Sequence, residues 1–208
     1  METWVVISPH ADDEVLGMGG VLMKYRNKVK WLIMYLYFTG YKKLSGMEIK
    51  SYDLMKAINR VAKILNAQYY VFRLNDYLPT RENINMLQKI IGAYNNIGRV
   101  YLPYWCGNQE HEATYRIGER VFRLRSDGRI NYKELIIYFP EKTINAGINM
   151  IEKINWDDKL KLLEEYEFVF SEVGWLSKEQ YYYAAKYHGN LIGEDYGEEF
   201  LRKFSIIR

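Results

Sequence analysis

Thr3-Trp4-Val5-Val6-Ile7-Ser8-Pro9-His10-Ala11-Asp12-Asp13-Glu14, followed by Val15-Leu16-Gly17-Met18-Gly19-Gly20, decides how the chain is read. Thr3 to Ile7 is short, apolar and rich in β-branched residues, as a buried strand is. Val15 to Lys24 reads as a helix with small residues where it meets a sheet. Between the two stand one histidine and three carboxylates, from His10 to Glu14. They fall at the C-terminal end of a first strand and the N-terminus of a first helix. That is where open α/β sheets bind their ligands. An imidazole beside carboxylates also suits a borderline metal such as zinc.

Further along, strand-like runs recur at Trp4–Ser8, Val29–Phe38, Tyr69–Leu74, Val100–Tyr104 and Leu135–Phe139. Helical spacing of apolar residues fills the gaps, at Ile49–Leu65, Ile84–Tyr94 and Glu112–Leu124. Alternating strands and helices predict an α/β fold, a Rossmann-like three-layer sandwich with a mostly parallel sheet. The last third changes character. Trp156–Tyr166 and Glu179–Tyr187 look helical, Phe168–Phe170 reads as a short strand, and the remainder is irregular. No repeat or linker divides the sequence, so residues 1–208 are expected to form a single domain.

Composition narrows the function classes. The chain of 208 residues is 49% hydrophobic and 26% charged, as ordinary globular proteins are. A net charge of +3 is too small to argue for a nucleic-acid partner, and none is expected. The arginines at 120, 123, 125 and 129 read as a solvated face. Cys106 is the single cysteine, so no intrachain disulfide can form, which fits a reducing compartment. The longest apolar run, Trp31 to Phe38, is too short to span a bilayer. With no leader-like start, these features lead to the expectation of a cytoplasmic protein without a transmembrane segment. Trp156, Trp175 and Tyr181–Tyr183 are candidates for lining a homo-oligomer interface.

Three ligands and one open position make a catalytic zinc site. His10 and one or two of the carboxylates supply part of it. His111 follows the strand Val100–Tyr104 by seven residues and shares that strand's edge in a parallel sheet. His188, among tyrosines in the helical region, reads as a structural or surface histidine. Asp12 and Asp13 are adjacent, so their side chains diverge. One can bind metal while the other faces the open position as a base. Glu14 suits the helix N-terminus. Other motifs fail: Gly17-Met18-Gly19-Gly20 lies inside the helix rather than in a phosphate turn, and His111-Glu112 lacks the second histidine of a zincin because position 115 is Tyr.

Pro9-His10-Ala11-Asp12-Asp13-Glu14 with Gly17-Met18-Gly19-Gly20 resembles the signature of the LmbE-like (PIG-L) zinc-dependent N-acetylglucosamine deacetylases. The resemblance implies that His10 and Asp13 bind zinc, another divalent ion being possible, and that Asp12 is the general base on a metal-bound water. Asn108-Gln109-Glu110-His111 falls where the family carries His-x-x-His, which makes His111 the third ligand. Phe38-Thr39-Gly40, Leu74–Leu78 and Tyr196-Gly197-Glu198-Glu199-Phe200 resemble further family segments. The implied reaction removes the acetyl group from an N-acetylglucosamine-type conjugate.

Two departures stand out. Asn108 replaces the first histidine of the pair; it can donate a hydrogen bond to an oxyanion but supplies no proton near neutral pH. Lys50-Ser51-Tyr52-Asp53 has the spacing of the family's Arg-x-x-Glu but sits a helical turn out of place, so Lys50 is a weak candidate for substrate contact. Asn108 joins Asp12 as a candidate catalytic residue. It also opens the alternative of a catalytically weak or inactive metal- and sugar-binding relative. A third reading keeps the hydrolase and changes the amide substrate. Tyr104 and Trp105 serve equally as sugar-stacking or core residues.

Overall fold

The computed structural model describes residues 1–42, 46, 48–105, 107–123, 130–140, 147–170 and 177–205. The strands are β1 (Thr3–Ser8), β2 (Lys30–Tyr35), β3 (Tyr41–Lys42), β4 (Glu48–Ile49), β5 (Gln68–Val71), β6 (Ile97–Pro103), β7 (Glu134–Tyr138), β8 (Met150–Lys153) and β9 (Gly197–Ser205). The helices are α1 (Asp13–Tyr25), α2 (Ser51–Leu65), α3 (Arg81–Ile91), α4 (Gln109–Val121), α5 (Trp156–Glu164), α6 (Glu167–Phe170) and α7 (Lys178–Leu191). The main sheet has seven strands in the order β5-β2-β1-β6-β7-β9-β8, and β3 and β4 form a separate pair. From β5 to β7 all pairings are parallel; β9 runs antiparallel to β7, and β8 antiparallel to β9. This is the predicted three-layer α/β sandwich with a mostly parallel sheet.

Period-2 alternation sorts the strand residues onto two faces. Val6, Ile33, Tyr101 and Ile136 pack on one side against α1, α2, α5, α6 and α7. Val5, Ile7, Val100, Leu102 and Ile137 pack on the other against α3 and α4. Because β1 is covered on both faces, all six of its residues are buried. The amphipathic helices present their apolar stripes inward: Leu54, Ile58, Val61 and Leu65 on α2, Leu87 and Ile91 on α3.

This topology creates the place for a site. From β1 the chain leaves through α1 on one face to β2. From β6 it leaves through α4 on the opposite face to β7. β1 and β6 are neighbours, so a crevice opens outside their carboxyl ends, at a topological switch point.

The last third departs from expectation in two ways. Phe168–Phe170 is helical, not a strand: it belongs to the single turn α6, with Val169 and Phe170 buried against the helical layer rather than paired in a ladder. In addition, β8 and β9 close the sheet, and neither was expected from the sequence. β9 carries charged and apolar residues in consecutive pairs rather than in strand alternation, and its buried Glu198 and Glu199 stand opposite Glu152 and Ile151 of β8. Of the interface candidates, Trp156 packs at 5.3 Å from Tyr182, and Tyr181 donates to the Pro140 carbonyl, so both serve this chain's own core. Tyr183 is exposed, and Trp175 lies outside the described residues. Arg120 and Arg123 are exposed as predicted, whereas Cys106, Arg125 and Arg129 are also outside the described residues.

Candidate metal centre

At the end of β1 the chain passes through Pro9-His10-Ala11 into α1. Asp12 occupies the N-cap position of α1, yet its side chain does not cap the helix. Its carbonyl begins the helix by accepting from Val15 and Leu16 N–H. Asp12 also carries φ 144°, ψ −32°, a backbone region that L-residues rarely adopt. Such strain persists only where the surroundings impose it, and it concentrates at functional sites. The Asp12 side chain is buried and makes no cap hydrogen bond to α1; its local partner is the Asp13 backbone N–H.

The second half of the centre comes from the start of α4. Asn108 is its N-cap, and Asn108 Oδ1 accepts from Glu110 N–H at 2.9 Å. His111 follows within the first turn and is 2% exposed. The helix begins three residues before the predicted Glu112, so His111 is held by helical geometry rather than by a loop.

Three donors converge across the crevice. Asp13 Oδ2 lies 3.1 Å from His10 Nδ1 and 3.3 Å from His111 Nε2, and it also accepts the His10 backbone N–H at 3.0 Å. One ligand atom from each of His10, Asp13 and His111 lies within 4.8 Å of the others, and among the described residues this is the group able to hold a metal ion. Two imidazole nitrogens and one carboxylate oxygen are an established donor set for zinc with one position left open. The residues therefore fit the metal the sequence pointed to.

Electrostatics pushes the two aspartates apart. Burial drives the Asp12 carboxyl well above the usual carboxylate range, and the neighbouring Asp13 charge adds to this. Burial acts the same way on Asp13, but the His111 and His10 rings overcome it and hold Asp13 below that range. Partial burial disfavours a charge on His10, but hydrogen bonds with Asp13 and Glu110 outweigh it and raise the ring to about 10. Paired carboxylates in unequal environments take different roles. In this arrangement the Asp13 carboxyl favours its charged form and the Asp12 carboxyl its protonated one.

Two neighbours of this centre do more than the sequence indicates. Glu14 does serve the helix start, accepting the Asp12 N–H at 3.2 Å, but it is fully buried and also accepts from Tyr35 OH at 2.8 Å. Burial raises its carboxyl to about 7. Glu110 received no role from the sequence, yet its Oε2 lies 2.5 Å from His10 Nε2. Its place beside His111 in the first turn of α4 was the only sequence signal.

The remaining candidates sit as follows. Lys50 is the exposed N-cap residue of α2 and lines an open depression of about 550 Å³ with Thr39, Gly40 and Ser51. Tyr104 is half-buried and stacks on Trp105, which is 43% exposed, at 5.4 Å. His188 is buried and lies 2.9 Å from Glu199, apart from the ligand group, as a structural histidine would.

Comparison with known proteins bears on the fold and the family. No functionally curated protein matches the chain by sequence. Among solved structures, the conserved protein TT1542 from Thermus thermophilus is 20% identical, with a TM-score of 0.79 over 100% of this chain and 97% of that one. The N,N'-diacetylchitobiose deacetylase from Pyrococcus horikoshii is 21% identical, with a TM-score of 0.74 over 97% and 83%. GalB, the 4-carboxy-2-hydroxymuconate hydratase from Pseudomonas putida, is 16% identical, with a TM-score of 0.77 over 100% and 98%. At such identities these likenesses establish the fold. The family described as GlcNAc-PI de-N-acetylase (PIG-L) matches residues 5–122, from β1 through α4, which takes in His10, Asp12, Asp13, Asn108 and His111. With more than half of its length matched and both halves of the centre inside the match, the chain belongs to the PIG-L family.

Proposed function

We propose that the chain is a metal-dependent N-deacetylase that hydrolyses the acetamide of an N-acetylated amino-sugar conjugate, with zinc held by His10, Asp13 and His111. The observation that carries this reading is the convergence of those three donors beside a buried, strained Asp12 that does no structural capping. A fold shared with a protein named as a hydratase does not choose the reaction. The choice of amide hydrolysis rests on the family and on the site.

A divalent ion in this ligand set lowers the pKa of a water it binds and polarises an amide carbonyl. The Asp12 carboxylate accepts the proton of the attacking water and returns it to the leaving nitrogen, so acetate and a protonated amine result. Asn108 Oδ1 is committed to the α4 cap, which leaves Nδ2 to donate a hydrogen bond to the carbonyl oxygen as charge develops there. Asn108 cannot act as an acid. Asp12 therefore carries both proton transfers.

Metal content and acetate release test the reading together. The purified protein is expected to hold about one equivalent of zinc, lost in His10→Ala and His111→Ala. Asp12→Asn is expected to keep the metal while acetate release from N-acetylglucosaminyl compounds falls by about 10²–10⁴-fold. A metal-loaded wild type without turnover on any such compound would favour the metal- and sugar-binding relative. Full activity in Asp12→Asn would sink the assignment of the base.

A further inference from the structure

The three ligands are not held equally. Asp13 and His111 project from the first turns of α1 and α4 with side chains 6% and 3% exposed. His10 sits in the connection between β1 and α1, and its side chain is 29% exposed. Its one aromatic neighbour among the described residues is His111, at 5.3 Å between centroids. An imidazole that must present one particular nitrogen then needs a polar partner on the other.

Glu110 is that partner. Its carboxylate meets His10 Nε2 at 2.5 Å, on the opposite side of the ring from Nδ1, which faces Asp13 at 3.1 Å. Glu110 belongs to the first turn of α4, and its backbone N–H is tied down by the Asn108 side chain. A rigid chain of contacts thus runs from the α4 cap through Glu110 to His10. It bridges residues 100 apart in sequence and spans the crevice between β1 and β6. The charge balance agrees: a divalent ion on two neutral imidazoles and one carboxylate leaves one positive charge, and Glu110 is the adjacent carboxylate that offsets it.

We propose that Glu110 is a positioning residue of the metal centre, which holds His10 by Nε2 so that Nδ1 faces the shared ligand point; the inference rests on the metal reading above. The mutual constraint also gives Asn108 a role at the site through Glu110, in addition to its hydrogen-bond donor.

Chelator competition for zinc on the metal-free protein tests this, with wild type, Glu110→Ala, Glu110→Gln and Glu112→Ala compared. Glu112 lies two residues further along α4, half-exposed and paired with Arg116, so its removal controls for local charge. Glu110→Ala is expected to weaken zinc binding by about 10–100-fold and to shift the visible d–d bands of the cobalt-loaded protein. Glu110→Gln, which can still accept from an Nε2–H, is expected to lose less, and it keeps the test open should Glu110→Ala fold poorly. Glu112→Ala is expected to bind like wild type. Zinc affinity in Glu110→Ala and Glu110→Gln equal to wild type overturns this inference alone, as does an equal loss in Glu112→Ala. A wild type that binds no divalent ion overturns the metal reading itself, and this inference with it.

Discussion

Lys159 Nζ lies 2.6 Å from Glu198 Oε1, and both side chains are 1% exposed. The pair fills a break in α1. At Met18 the helix leaves helical geometry, with φ −147° and ψ 22°, so that carbonyls before the break and amides after it lose their partners. Lys159 Nζ donates to the Leu16 carbonyl at 2.8 Å. The Glu198 carboxylate accepts from Gly20 N–H at 2.9 Å and from Val21 N–H at 2.8 Å. Each charge sits against the backbone groups of opposite polarity, as at two helix ends. α5 and β9 thereby grip the helix whose first turn carries Asp13, and both gripping residues lie beyond the part of the chain that matches the family.

Removing one member of this pair leaves the other buried and uncompensated. Lys159→Met is expected to cost about 3–5 kcal/mol of stability, read from urea unfolding of the metal-free protein. Lys159→Met with Glu198→Gln is expected to recover part of that loss, because no net charge then stays buried. A single variant as stable as wild type would mean that the charges contribute nothing to holding the break.

Close packing at the same helix makes a second prediction. A Cβ on Gly17 would strike the Tyr138 ring and approach the Phe139 carbonyl carbon at 3.0 Å. Tyr138 cannot retreat freely, because its hydroxyl donates to the Ile7 carbonyl beside the site. Gly17→Ala is expected to destabilise by about 1–3 kcal/mol, seen as a lowered melting temperature. An unchanged melting temperature would show that β7 can yield.

Metal uptake is expected to release protons. His10 in the metal-free centre has its proton affinity raised to about 10, so it is protonated at neutral pH, whereas a ligand must be neutral. Zinc affinity should therefore rise by about tenfold per pH unit through the neutral range, with roughly one proton released per ion bound. Calorimetry in buffers of different ionisation enthalpy measures that release. Affinity independent of pH would contradict the ligand assignment of His10.

Acid sensitivity has a source at the opposite end of the sheet. Burial pushes the Glu152 carboxyl up, but hydrogen bonds from Lys24 and Arg99 outweigh it and hold its pKa below the ordinary 4.5. The folded state binds that proton more weakly than the unfolded chain does. The stability involved is complete above the ordinary value and is lost as pH falls through the lowered one. Glu152→Gln should flatten the fall of the urea midpoint below about pH 4.5, at the cost of a lower plateau near neutrality. A fall as steep as in wild type would place the acid sensitivity elsewhere.

Much of this protein is legible along the chain, because its cues are local. A strand of continuous apolar residues, a turn of charged ones and a glycine-containing helix, all in the opening stretch of the chain, were enough to locate the first half of the centre. Apolar periodicity marked α2, α3 and α4 to within three residues at their starts, and the spacing from β6 brought His111 to the same edge as His10. The strand and helix readings depend on residues close in sequence, where backbone geometry sets which side chains share a face, while the place of His111 rests on the sheet's shared edge and on the family resemblance. The amino-acid sequence by itself thus determined the layered α/β architecture and pointed to His10, Asp12, Asp13 and His111, their separate roles resting on the resemblance to the family. Tertiary structure alone decided the rest: Glu110 against His10 across 100 residues, Glu198 against the break in α1 across 178, the antiparallel closure by β8 and β9, and the burial of Glu14 under Tyr35. In each case a group takes its meaning from a partner on another element. That pairing is fixed by how the layers pack, which no local pattern encodes.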